Sequence, residues 1–337
     1  MPETIELIFD WIGRNENILS GLVAVSILLS LAWAGFSRLT QNRKNKADQP
    51  GKPAPTKLQD PQQIKYCRTV DDKRIAHATT GSGSPVVRAF GWFTNLELEW
   101  NSAVGRSFWE RLGLNHQLIR YDGRGFGLSE KTLEFSAQTR LDDLEAVIDA
   151  TGVERFALLG TSEGCRTAIR YALAHPERVS HLVLYGPATP VIQKGEETDE
   201  WKGFHSLIST GWARPSHSRF FADLFLGENC SQDEYDYFQA MQTESASAET
   251  AATYFQSITE GDDIFELARQ ITVPTLVVHP RNDQICPFNW GQALAAEIPN
   301  AQLVPLESDC HFQLMSNSVS EAYISAIDDF IKEPELS

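Results

Sequence analysis

Residues 155–164 read Arg-Phe-Ala-Leu-Leu-Gly-Thr-Ser-Glu-Gly. An apolar run of the kind found in buried strands stops at Gly160, and residues 165–174 follow with the composition of a helix. A strand, a sharp turn and a helix in that order, with Gly-x-Ser-x-Gly at the turn, form the nucleophile-elbow pattern. The glycines leave room for strand and helix to approach closely around Ser162. An ordinary glycine-rich turn has the same form, so the remaining sequence has to decide between the two interpretations.

The turn has a chemical advantage if Ser162 is a nucleophile. The N-terminus of the following helix presents free N–H groups and the positive end of the helix dipole, both of which favour a developing oxyanion. A serine hydroxyl is a weak nucleophile at neutral pH and needs an adjacent base, which in turn needs an orienting group. A functional elbow therefore requires a histidine and an acid from other parts of the chain.

Charge and cysteine content limit the possible functions. The 337 residues carry a net charge of -16, and the acidic excess lies beyond residue 57. This balance argues against nucleic-acid binding through a basic face. The five cysteines are an odd number without C-x-x-C spacing, which disfavours a disulfide framework or a zinc site and favours a reducing compartment.

The N-terminal region contains nineteen uncharged, mostly apolar residues at 18–36. This run is long enough to cross a bilayer as a helix. An acidic segment precedes this run, and a basic cluster follows it. Positive charge next to a membrane-spanning segment favours retention of that flank in the cytoplasm. We therefore expect a single-pass membrane protein with an acidic outer tail (1–17), a transmembrane helix (18–37), a basic, proline-containing linker (38–61) and a cytoplasmic main domain.

Two other interpretations of the apolar run remain open. Ala32-Trp33-Ala34 resembles a signal-peptidase site, and cleavage there would leave a secreted domain. A buried helix of a soluble domain is the third possibility.

Beyond residue 61, strand-like and helix-like segments alternate. The strands are predicted at 64–70, 74–79, 86–90, 117–121, 179–185, 273–279 and 302–306, together with the run before Gly160, and the helices at 104–114, 165–174 and 288–298, with another around 141–148 closed by Gly152. Repeated strand–helix units of this length imply a mostly parallel sheet covered by helices on both faces.

Three further motifs accompany the elbow. They are Gly81-Ser82-Gly83, residues 121–129 (Tyr-Asp-Gly-Arg-Gly-Phe-Gly-Leu-Ser) and residues 171–179 (Tyr-Ala-Leu-Ala-His-Pro-Glu-Arg-Val). With them, residues 62–335 resemble the α/β-hydrolase superfamily, and most closely the bacterial hydrolase-like domains that are sometimes joined to nucleotide-cyclase or transcriptional-regulator modules. The resemblance implies an α/β-hydrolase fold whose core comprises 62–186 and 271–335, with an inserted helical cap at 187–270.

The resemblance also implies a catalytic triad. Asp283, after the strand at 273–279, matches the triad acid, and His311, in the loop after the last strand, matches the triad base. The order Ser162, Asp283, His311 is the order expected for this fold. His311 would take the serine proton, and Asp283 would orient the imidazole. Asp309, two residues before His311, is the alternative acid.

The same resemblance places an oxyanion hole at the backbone N–H groups of Glu163 and Trp92. The family usually has His-Gly where this chain has Phe90-Gly91, so a side chain that commonly braces this loop is missing. A Glu163 carboxylate near the oxyanion would oppose it, unless it points away or pairs with a cation such as Arg124 or Arg166.

The cap is rich in aromatic residues, most of which we expect to form its own core. Some should line an apolar substrate pocket, and the candidates are Phe93, Trp201, Phe204, Trp212 and Phe221. The expected function is cleavage of a small-molecule carboxylic ester or related acyl substrate through an acyl-enzyme, with no metal or organic cofactor. Carbon–carbon bond hydrolysis or cofactor-free peroxidation on the same triad, or a small-molecule sensor with little turnover, are the alternatives. The sequence identifies no protein partner.

Overall fold

Eight strands form one sheet in a computed structural model that describes residues 62–189, 198–227, 230–258, 263–315 and 319–332. The strands are β1 (Gln63–Arg68), β2 (Arg74–Gly81), β3 (Ser84–Arg88), β4 (His116–Tyr121), β5 (Phe156–Thr161), β6 (Val179–Tyr185), β7 (Thr275–Pro280) and β8 (Gln302–Leu306). Their order in the sheet is β1-β2-β4-β3-β5-β6-β7-β8. β1 and β2 pair antiparallel with each other and β2 with β4, whereas the remaining pairs are parallel.

Eleven helices accompany the sheet in the described residues. They are α1 (Leu96–Asn101), α2 (Ala103–Leu112), α3 (Ala137–Thr151), α4 (Gly164–Ala174), α5 (Asp199–Gly211), α6 (Pro215–Leu226), α7 (Gln232–Ser245), α8 (Ala248–Ile258), α9 (Ile264–Ala268), α10 (Phe288–Glu297) and α11 (Ser320–Lys332). Helices α5 to α9 lie between β6 and β7, where the sequence interrupts the strand–helix alternation. We refer to these five helices as the cap.

Two apolar cores lie on the two faces of the sheet. Along β5, Phe156 and Leu158 belong to one core, and Ala157 and Leu159 belong to the other. This alternation follows from the two-residue period of a strand. The first core includes residues of α3, α4 and α10, and the second includes residues of α2 and α11. The mostly parallel sheet with helices on both faces is therefore confirmed.

The helix predicted at 104–114 is confirmed by α2, whereas the short helix α1 just before it was not predicted. The Asn95 side chain accepts the N–H groups of Glu97 and Leu98 and begins α1, and the Ser102 side chain accepts the Val104 N–H and begins α2. Each cap satisfies backbone donors that the first turn of a helix leaves unpaired. The last helix, α11, was not predicted.

None of the helices in the described part of the chain has the length and apolar character that crossing a bilayer requires. The predicted transmembrane helix at 18–37, the tail at 1–17 and the linker at 38–61 lie outside the described residues.

Candidate active site

Ser162 lies at the turn between β5 and α4 with φ at 54°, in the left-handed region. Its N–H donates to the Tyr185 carbonyl on β6 at 2.8 Å. A left-handed backbone costs a non-glycine residue about 1–2 kcal/mol, and such strain is concentrated at functional sites. A Cβ on Gly160 would lie 2.7 Å from the Cys165 Cα, and one on Gly164 would lie 2.6 Å from the Phe90 carbonyl oxygen. Both glycines are therefore needed to form the turn.

Asp283 and His311 are in direct contact. Nδ1 of His311 lies 2.6 Å from Oδ2 of Asp283, and both side chains are buried. The other carboxylate oxygen, Oδ1, accepts the N–H groups of Ile285 and Cys286 at 2.9 Å each. Burial opposes ionisation of Asp283, but the charge and hydrogen bond of His311 and the Cys286 N–H hold the pKa of Asp283 below its usual value. Asp283 is therefore a fixed anion beside the imidazole.

Asp309 occupies a different position. A Cβ on Gly227, at the end of α6, would lie 2.5 Å from the Asp309 carboxyl carbon. The acid next to His311 Nδ1 is Asp283, so the structure separates the two candidate acids.

Gly186, directly after β6, brings the Asp283–His311 pair close to the elbow. A Cβ at this position would lie 3.1 Å from His311 Cε1 and 3.4 Å from Asp283 Oδ2, and φ is 51°. The preceding residue, Tyr185, accepts the Ser162 N–H. Gly186 therefore adjoins both the imidazole and the nucleophile turn. The sequence analysis did not identify it, although a glycine at the end of a buried strand is a recognisable signal.

The free side of the imidazole is unpaired in the part of the chain that the structure describes, since the buried His311 Nε2 has no hydrogen-bond partner there. The Ser162 hydroxyl instead shares a hydrogen bond with the Cys286 thiol. Burial, together with the charge of Asp283, raises the pKa of that thiol well above its usual value. Cys286 is therefore a neutral neighbour of Ser162, not a second nucleophile.

The loop after β3 packs directly on the elbow. The Phe90 N–H donates to the Tyr121 hydroxyl at 3.1 Å, and a Cβ on Gly91 would lie 3.1 Å from the Thr161 carbonyl oxygen. The loop that carries Trp92 therefore adjoins the turn that carries Glu163. Among the described residues, the backbone N–H groups of Trp92 and Glu163 have no acceptor. Both remain available to a ligand oxygen.

The Glu163 side chain is buried, and the charge of Arg166, one of the two cations considered from the sequence, acts on its carboxylate and favours the ionised form. Its carboxylate accepts the Tyr254 O–H, and Oε2 lies 3.9 Å from Arg140 Nε. Arg124 instead pairs with two other carboxylates, those of Asp71 and Asp143. Burial raises the pKa of Glu163, although Arg140 and the Tyr254 hydrogen bond oppose that effect.

Three of the five predicted pocket residues make ring contacts beside the proposed oxyanion loop. The Phe93 ring lies 5.4 Å from the Trp92 ring, the Trp212 ring 5.3 Å from it and the Phe204 ring 6.3 Å from it. All three therefore belong to one aromatic cluster with Trp92.

The other two predicted pocket residues pack within the cap. Phe221 contacts Phe204 and Trp212, and Trp201 stacks on His205 and Phe255. The sequence analysis did not single out Phe225, whose ring lies 5.6 Å from the His311 ring. Its spacing of four residues from Phe221, on the same helix, was the available signal.

The chain belongs to the α/β-hydrolase family, because the family model of the alpha/beta hydrolase fold matches residues 85–318. Among curated proteins it is similar to an AB hydrolase superfamily protein, YisY, of Bacillus subtilis, with 28% identity over 73% of this chain and 91% of the relative. A 2-hydroxymuconate semialdehyde hydrolase of a Pseudomonas species is 28% identical over 77% of this chain and 90% of the relative.

The fold is also similar to that of a solved esterase from Exiguobacterium antarcticum. The two share 25% identity with a TM-score of 0.70, over 80% of this chain and 100% of the esterase. The family and these relatives support a hydrolytic enzyme.

Proposed function

We propose that this chain is a serine hydrolase that cleaves a carboxylic ester or related acyl substrate. The observation that carries the proposal is the Asp283–His311 pair, which lies against Gly186 with the imidazole Nε2 unpaired in the described structure. Ser162 lies at the adjoining elbow in a left-handed conformation. A base oriented by a carboxylate, next to a serine on a strained turn, is the arrangement that activates a hydroxyl group.

In the proposed mechanism, the Ser162 hydroxyl turns from Cys286 to His311 Nε2 when substrate binds. His311 takes the proton as the serine oxygen attacks the ester carbonyl, and the N–H groups of Glu163 and Trp92 stabilise the oxyanion. His311 then protonates the departing alcohol, which leaves an acyl-enzyme. A water molecule activated by His311 releases the acid and restores Ser162. Asp283 remains ionised throughout and stabilises the imidazolium.

The surroundings of the site favour a neutral, apolar substrate. Several aromatic rings surround Trp92, among them Trp212 and Phe225, and the Phe225 ring also contacts His311. The nearby cations Arg124 and Arg140 face buried carboxylates. An apolar ester can enter such a site without leaving a charge unpaired.

Carbon–carbon bond hydrolysis is the second candidate function. The similarity to a 2-hydroxymuconate semialdehyde hydrolase favours it. Such a substrate bears a carboxylate. The aromatic rings around Trp92 and His311 offer that carboxylate no cation, so we place ester cleavage first.

We expect a fluorophosphonate probe to label Ser162 in the full chain, because such probes react with serines that an adjacent base activates. Mass spectrometry of the labelled peptide locates the adduct, and a panel of p-nitrophenyl esters of increasing acyl length measures turnover. Denatured protein is the control. A chain that binds apolar ligands but neither reacts with the probe nor hydrolyses any ester would be a sensor and would contradict the enzyme proposal.

We further infer that residues 18–37 anchor the hydrolase to a membrane, with the hydrolase on the cytoplasmic side. The support is the uncharged run with acidic residues before it and basic residues after it. Full-length protein is expected to remain with membranes after an alkaline carbonate wash, whereas a variant beginning at residue 58 is expected in the supernatant. Release of the full-length protein by carbonate would refute the anchor.

A further inference from the structure

One cap side chain, Tyr254 on α8, contacts both halves of the proposed oxyanion hole. Its hydroxyl donates to the carboxylate of Glu163, the residue whose N–H is one proposed donor. Its ring packs edge-on against Phe90 at 5.5 Å, and Phe90 begins the Phe90-Gly91-Trp92 loop that carries the second donor. The cap therefore reaches one proposed donor through the Glu163 side chain and the other through Phe90, which lies two residues before Trp92.

The family usually has a histidine at the position of Phe90, and the contacts of Phe90 show how the loop is braced without it. In this chain, the Phe90 backbone is held by the Tyr121 hydroxyl, and its ring packs against Tyr121, Phe126 and Tyr254. Aromatic packing thus supplies the brace for the loop, and one of the three rings comes from the cap.

Arg140 on α3 contacts both the cap helix α8 and the Glu163 carboxylate. Its guanidinium donates to the Ser257 hydroxyl on α8 at 2.9 Å, its Cζ lies 5.5 Å from the Tyr254 ring centre, and its Nε lies 3.9 Å from the Glu163 carboxylate. Glu163 Oε2 and Arg140 Nε have no hydrogen-bond partner within the described residues. The buried carboxylate therefore combines a hydrogen bond from Tyr254 with the charges of nearby arginines, of which Arg140 has the largest effect on its pKa.

Loss of the Tyr254 hydroxyl would deprive the Glu163 carboxylate of this hydrogen-bond donor. A buried carboxylate without a donor is strongly disfavoured. The Glu163 side chain, and with it the backbone at the start of α4, depends on the position of α8.

We propose that Tyr254 is a positioning residue that couples closure of the cap to alignment of the oxyanion hole. With α8 in place, the hydroxyl fixes Glu163 and the ring fixes Phe90, so that both backbone donors face the elbow. When the cap opens to admit substrate, both contacts are lost together. This inference rests on the proposed function and explains a glutamate at a position where its charge otherwise opposes catalysis.

The test uses Tyr254→Phe, which removes the hydroxyl and keeps the ring. Loss of a whole oxyanion donor lowers kcat by about 10²- to 10³-fold, so misalignment of one donor is expected to lower kcat about tenfold. KM is expected to change less than about threefold, because ground-state binding does not use the oxyanion hole. Affinity for a trifluoromethyl ketone, which forms a tetrahedral oxyanion adduct, is expected to fall in parallel with kcat.

Two further variants separate positioning from simple structural support. Glu163→Gln keeps the length and an acceptor for the Tyr254 hydroxyl, so we expect its loss of kcat to be smaller than that of Tyr254→Phe. Tyr235→Phe is the matched control, because it removes a cap hydroxyl whose exposed hydrogen bond goes to the Pro215 carbonyl. Its kcat and inhibitor affinity are expected to equal those of the wild type.

All rates are normalised to the number of serines titrated by fluorophosphonate. A folded Tyr254→Phe variant with wild-type kcat and inhibitor affinity per titrated site overturns the inference and leaves the proposed function intact. If that variant does not fold, Glu163→Leu cuts the same link from the elbow side, and wild-type kcat in it has the same meaning. A wild-type chain that neither hydrolyses esters nor reacts with the probe removes the proposed function itself.

Discussion

Ser162→Ala is expected to lower ester turnover by about 10⁴- to 10⁶-fold. The substitution removes the proposed nucleophile while the left-handed backbone of the elbow, the Asp283–His311 pair and the backbone donors remain. Without the hydroxyl no acyl-enzyme can form, so the remaining rate would come only from substrate binding and the oxyanion hole. Initial rates on the best p-nitrophenyl ester of the panel measure the effect.

The control for this variant is Ser209→Ala on α5, where the exposed hydroxyl donates only to the His205 carbonyl one turn earlier. It is expected to hydrolyse the ester at the wild-type rate. Thermal unfolding of both variants should match that of the wild type. Purified Ser162→Ala with undiminished hydrolysis would rule out Ser162 as the nucleophile.

Asp283→Asn is expected to lower kcat by about 10⁴-fold, which is the effect of the equivalent change in a well-studied serine protease. The reason here lies in the hydrogen bonds of the carboxylate. Oδ1 accepts two backbone N–H groups, from Ile285 and Cys286, so an asparagine keeps its oxygen there and turns its NH₂ toward His311 Nδ1. The imidazole then carries its proton on Nε2, where it cannot accept one from Ser162.

The matched control for Asp283→Asn is Asp309→Asn, which makes the same chemical change two residues before His311. Its side chain lies beside Gly227 and not at His311 Nδ1, so kcat is expected to stay within about threefold. The reverse pattern, with a large loss at Asp309 and a small one at Asp283, would show that the acid has been misassigned. Both variants are measured with the ester used for Ser162→Ala.

The sheet and the position of the elbow were predictable because local sequence determines them. The apolar run before Gly160 and the glycines at 160 and 164 satisfy the steric requirements of a strand-to-helix turn. The contact between Asp283 and His311 could be anticipated only from the family resemblance, because 28 residues separate them. Parallel strands place their ends at one edge of the sheet, which is why residues so far apart in sequence meet there.

The surroundings of the site could not be derived in this way. The partner of Glu163 is Tyr254, which lies 91 residues away in an inserted helix, and no local pattern relates the two. Arg140 was not considered from the sequence, because it reaches the carboxylate only through the packing of α3. The contact of Phe225 with His311 depends likewise on how the cap folds over the sheet.

The proposed triad combines the ends of β5, β7 and β8, and this has a consequence for biosynthesis. A chain emerging from the ribosome acquires Ser162 early, but His311 follows only after the entire cap and the last strand have been made. A prematurely terminated product that lacks the final loop has the serine without its base, and it would be inert toward esters. Ester cleavage therefore reports that the whole domain, and not its first half, has been completed and folded.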